Sequence, residues 1–147
     1  MLVGNGMYVE SSKGLKLQAS SGLYDVHLVD VALAADSAVQ SSGLLSLESS
    51  VEFNSSFDAT SPSIILISGS ILAHNSNLVF GDVNTPVVMS GDTIFENGYG
   101  NLTFGGSIDG YFKLDVRSGG STEFLGSIGT SMALSGLSTD APGKSSL

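Results

Sequence analysis

Leu102-Thr103-Phe104-Gly105-Gly106-Ser107-Ile108-Asp109-Gly110 and Thr122-Glu123-Phe124-Leu125-Gly126-Ser127-Ile128-Gly129-Thr130 are one pattern written twice. Phe104 falls on Phe124, Gly106 on Gly126, Ser107 on Ser127 and Ile108 on Ile128, an offset of 20 residues. Leu114 and Leu134 keep the same offset, and Val51-Glu52-Phe53-Asn54-Ser55-Ser56-Phe57 repeats the spacing of an aromatic, three intervening residues and an apolar residue. A period near 20 is the length of one coil in a β-solenoid. A single coil exposes backbone edges and an apolar inner face, so it gains stability only when the next coil pairs those edges and stacks like on like. Phe104 over Phe124 and Ile108 over Ile128 are expected as inward columns. Gly105, Gly106 and Gly126 are expected at corners with positive φ. At about twenty residues per coil the chain supplies roughly seven coils.

Outward from this pair, the rest of the chain reads as short strands. Leu15 and Leu17, Val26 and Leu28, Val31 and Leu33, and Leu45 and Leu47 alternate with polar or small residues, the period of a half-buried strand. Val29 to Val39 carries four alanines that favour helix, yet the alternation within it predicts strands over Tyr24–Leu28 and Val31–Ala34. Leu44–Glu48, Ile64–Ile67, Ser70–Ala73, Leu78–Phe80, Val87–Met89, Thr93–Phe95, Leu102–Phe104, Phe112–Val116 and Thr122–Leu125 complete the series, with Gly69 splitting two of them. Dense short strands bounded by Gly, Asn, Asp and Ser predict an all-β fold, either a solenoid or an antiparallel β-sandwich. One solenoid repeat region over 1–147 is the expected organisation.

Composition agrees. Of 147 residues 41% are hydrophobic and only 13% charged, with 19 glycines and serine the commonest residue; a disordered chain combines low hydrophobicity with high charge. The net charge of −9 leaves five cations, Lys13, Lys16, Lys113, Arg117 and Lys144, which disfavours nucleic acid and anionic membranes as partners. With no cysteine, disulfides, thiolate nucleophiles and thiolate-bound metals are excluded. The longest apolar run, Ile64-Ile65-Leu66-Ile67, is too short to span a bilayer. No basic segment followed by an apolar stretch opens the sequence, so any export signal lies on a longer chain.

The segments Phe104–Gly110, Phe124–Gly129 and Leu137-Ser138-Thr139-Asp140-Ala141 with Gly143, together with Tyr24–Leu28 and Asp30–Asp36, resemble the repeat cycle of filamentous-haemagglutinin-like adhesins and related autotransporter passengers. The resemblance covers residues 22–57 and 100–143, about half of the chain. It implies a right-handed parallel β-solenoid, display at the bacterial cell surface, and a role in adhesion or in an extended stalk. Residues 58–100 depart from the cycle, with Pro62 and Pro86 interrupting it. The cycle begins partway through and ends just after Gly143, which makes a fragment of a longer array the expected organisation. Uncapped coils are adhesive edges, so self-association is expected.

Catalytic chemistry finds little support. His27 and His74 stand apart, the first within a strand and the second opening a polar turn. No Gly-x-Ser-x-Gly elbow occurs. Solenoid folds also host polysaccharide lyases and hydrolases, which need paired acids or Asp-bound calcium beside a basic residue. Asp25, Asp30 and Asp36, then Asp82, Asp92 and Glu96, then Asp109 and Asp115 lie near one another in sequence, but no acidic pair stands a clean coil apart, and Arg117 is the only arginine. The acids read as turn formers and surface charge. The calcium-binding nonapeptide is absent, as is a nucleotide cradle after Gly4-Asn5-Gly6. The sequence therefore predicts a non-enzymatic segment with no catalytic, cofactor or metal residue, binding glycans or proteins outside the cell. A carbohydrate-active β-helix enzyme and a lectin-like binding domain are the competing expectations.

Overall fold

The computed structural model describes residues 2–5, 16–18, 25–40, 43–60, 62–139 and 144–146. Within them the chain is all-β, its parallel strands stacked as a β-solenoid of about five turns with about 21 residues per coil. Each coil lays down three strand segments. The first two run together in the long strands Val26–Leu33, Leu44–Phe53, Ile64–Ala73 and Val87–Asn97. In later coils they separate, with Ile108–Asp109 and Lys113–Ser118 both pairing with Val87–Asn97, and Gly136–Thr139 closing the sheet. The third segment is short: Ser37–Gln40, Phe57–Ala59, Leu78–Phe80, Leu102–Phe104 and Ser121–Phe124. Leu2–Asn5, Lys16–Gln18 and Lys144–Ser146 extend the two sheets. Every strand pairing among the described residues is parallel, which sets the antiparallel sandwich aside.

Like side chains stack because register repeats from coil to coil. Val26, Leu45, Ile65, Val87 and Ile108 occupy one inward column, and Ile108 bridges to Ile128. Val31, Val51, Ile71, Phe95 and Val116 form a second. In the third segment Phe80, Phe104 and Phe124 lie in register. Their ring centroids are 5.7 and 5.3 Å apart, the last pair stacked within 3° of parallel, and Phe95 meets Phe104 edge-on at 5.3 Å. Such pairs add about 0.5–1.5 kcal/mol to the burial of each ring.

The long strands show how a solenoid turns a corner without breaking a ladder. The sequence predicts separate strands over Val31–Ala34 and Ser70–Ala73; instead each strand continues and bends at one residue. Asp30, Ser49 and Gly69 carry that bend, with φ of 51°, 67° and 84°. Inward residues alternate up to the bend, and the alternation restarts at Val31, Val51 and Ile71. A β-carbon on Gly69 would lie 2.2 Å from the Ser49 carbonyl oxygen of the coil before it. Tyr24 and Leu15 lie outside the described residues.

Two expectations are corrected. Phe53 sits in the second segment beside Leu33 and Ala73, a different column from Phe104, and Leu114 pairs with Leu137, 23 residues on. The cause is that corners differ in length, so a fixed offset of 20 loses register after one coil. The glycines with positive φ are Gly69, Gly81, Gly110 and Gly129, whereas Gly105, Gly106 and Gly126 are not among them. Those three are needed for close approach: a β-carbon on Gly106 would fall 1.9 Å from the Thr85 carbonyl oxygen, and one on Gly126 would fall 2.3 Å from the Gly106 backbone.

Candidate functional site

The acidic residues weighed as chemistry sit mainly at corners, where they hold the next coil. Asp25 accepts the Leu44 N–H (3.0 Å), Asp36 the Ser56 N–H (3.1 Å) and Asp92 the Lys113 N–H (2.8 Å). Asp109, 6% exposed, accepts both the Ser131 and the Met132 N–H. Asparagines do the same: Asn75 for Tyr99, Asn77 for Asn101, and Asn101 for Ser121. In all seven of these coil-to-coil caps the accepting side chain belongs to the earlier coil and the donating N–H to the later one. Asn97, 4% exposed, runs the other way, accepting the Ser76 N–H and donating to the Ser76 carbonyl. A corner must leave the ladder, and its N–H groups need partners; a short carboxylate or amide one coil away supplies them. Asp82 instead closes its own turn, accepting the Asn84 N–H and the Thr85 hydroxyl, and Asp30 forms a bend.

The acids left for chemistry lie on the outward side of the second segment. Ala32, Glu52, Leu72, Glu96 and Arg117 share one column, and Ser50, Ser70, Ile94, Asp115 and Ser138 the next. Arg117 donates through Nη1 to Glu96 (2.8 Å) and through Nη2 to Asp115 (3.0 Å). Asp115 is largely covered, and Lys113 stands 3.9 Å from it. The Asp115 carboxylate first, and Glu96 after it, raise the Arg117 guanidinium above its ordinary pKa. His74, one residue past Ala73, pairs with Glu52 at 2.8 Å. His27 lies outward beside Ser46, away from these groups.

Beside this ion-pair cluster is an open depression of about 410 Å³ spanning three coils. Leu72 and Ala73 contribute from the first coil, Glu96 and Tyr99 from the second, and Arg117 and Gly119 from the third. Tyr99 is 80% exposed and stands between Gly98 and Gly100, its N–H held by Asn75. Four residues, 98–101, turn this corner between Asn97 and Leu102, against three, 119–121, in the next coil. The Tyr99 ring overhangs the shorter corner, and a β-carbon on Gly119 would meet it at 3.1 Å.

Sequence reading singled out Asp115, Glu96 and Arg117 individually but did not join them, because Glu96 and Arg117 stack at an offset of 21. Tyr99 carried no signal at all beyond its two flanking glycines. Among the described residues no group of three or more His, Asp or Glu is placed to hold a metal ion, and no helix is long and apolar enough to cross a membrane. No family model, curated protein or solved structure matches the chain.

Proposed function

We propose that this chain is a non-enzymatic structural and adhesive repeat segment of a large secreted or cell-surface bacterial protein. The observation that supports this reading best is the use made of the acids. A β-helix hydrolase or lyase needs carboxylates free to meet a sugar, and here Asp25, Asp36, Asp92 and Asp109 are spent on the backbone of the following coil. The resemblance to haemagglutinin-like repeats points the same way, toward an extended rod that presents flat faces and corners to host or environmental glycans or proteins. Coil stacking is also the natural route to self-association.

The competing enzyme reading has one foothold, the Glu96–Arg117–Asp115 cluster beside the depression. The test is turnover. Incubated with a panel of neutral and acidic polysaccharides, the chain is expected to release reducing ends and unsaturated uronates no faster than a buffer blank, while being retained on glycan- or protein-coated surfaces. Release that disappears in Asp115→Asn or Glu96→Gln overturns the proposal.

A further inference from the structure

We infer that the depression beside Tyr99 is a binding site for a neutral saccharide, with the phenol ring as its platform. The inference rests on the adhesive reading and gives it an address. Large aromatic rings are seldom left uncovered at a fixed position, since burying one is strongly favourable. Tyr99 is both uncovered and fixed: Asn75 holds its backbone, and the ring edge lies over Gly119. A rigid platform loses little freedom on binding.

The neighbours define what it takes. A ligand must offer a flat, weakly polar C–H face to the ring and, at its rim, groups that both donate and accept. A pyranose ring does both. At the rim, the Glu96 carboxylate accepts from hydroxyls, and the Arg117 guanidinium, which carries five N–H donors, uses one on each terminal nitrogen for its carboxylate partners. Leu72 and Ala73 supply apolar floor, and a volume of about 410 Å³ falls within the usual range for small-ligand sites. Charge excludes the acidic sugars. Glu96 and Asp115 already balance Arg117 and Lys113, and the chain as a whole carries −9, so no cation is left for a uronate or sulfate.

Titrating the ¹⁵N-labelled chain with cellohexaose, maltohexaose and hexagalacturonate tests this. A neutral hexasaccharide is expected to shift the amides of Gly98, Tyr99 and Gly119. Tyr99→Phe is expected to keep the affinity, since the ring face and not the hydroxyl is used, and Tyr99→Ala to weaken it about tenfold. Hexagalacturonate is expected to bind at least about tenfold more weakly. Because Tyr99 is exposed, an unchanged thermal midpoint in Tyr99→Ala separates lost binding from lost folding. Shifts confined to other amides, unchanged affinity in Tyr99→Ala, or preference for hexagalacturonate overturns the site. If saccharides fail but the chain is still retained on protein-coated surfaces, the site falls and the adhesive reading survives; if retention fails as well, both fall.

Discussion

Between Phe80 and Phe104 the chain travels 24 residues, and between Phe104 and Phe124 only 20, yet the three rings stand in one column at 5.7 and 5.3 Å. The corners absorb the difference. Six residues, 81–86, lead from Phe80 to Val87, whereas three, 105–107, lead from Phe104 to the register partner Ile108. Strand segments and corners thus answer to different constraints. In a segment each residue faces inward or outward by parity, and a slip of one reverses every side chain. In a corner the chain needs only to arrive at the next segment with its N–H groups partnered, and extra length costs little entropy. Pro62 and Pro86, which interrupt the repeat in sequence, both fall in the long corner, where a missing N–H removes no ladder bond.

The sharpest way to break this contrast is to insert a single residue on each side of it. One alanine between Asp115 and Val116 sends Val116 outward and shifts the pairing with Phe95; loss of the cooperative urea transition is the expected result. One serine between Val83 and Asn84, at an exposed turn, is expected to cost about 1 kcal/mol, the value of a turn hydrogen bond. Equal damage from the two insertions would show that corners are as strictly specified as strands. Next in size is Phe104→Ala. It removes a fully buried ring that contacts Phe80, Phe95 and Phe124, and urea unfolding is expected to report a loss of about 3–5 kcal/mol. Smallest is Asn101→Ala, which deletes the cap on the Ser121 N–H. That N–H can turn to water at an exposed corner, so about 1 kcal/mol is expected, read as a shift in the urea midpoint with unchanged m-value.

This division also explains what could be read in advance. The solenoid was legible because two coils with equally short corners, those of Phe104 and Phe124, happen to be adjacent, so the repeat survives in linear sequence. Leu78–Phe80 and Leu102–Phe104 were visible as strands, but their alignment was not, because the corner between them is longer. Strand continuity through Asp30, Ser49 and Gly69 was hidden for another reason: a positive-φ residue inside a ladder looks, in sequence, like a turn between two strands. The caps illustrate the deepest limit. An aspartate that ends a turn and one that holds the next coil are the same letter, and only the fold distinguishes them. Tyr99 shows this at the surface, for its platform depends on Gly119, a neighbour 20 residues away.

The one-way caps give the rod a head and a tail. The face of a coil that looks toward the C-terminus carries side-chain acceptors, as at Asp36, Asn77, Asp92 and Asp109, while the opposite face carries the backbone donors of Ser56, Asn101, Lys113 and Ser131. Two such surfaces mate in one sense only. Joined head to tail, in one chain or between two, donors meet acceptors and the edge ladders continue; joined head to head, carboxylate faces carboxylate. A contact of this kind never closes on itself, so any growth by stacking yields a polar filament that lengthens and does not produce a symmetric dimer.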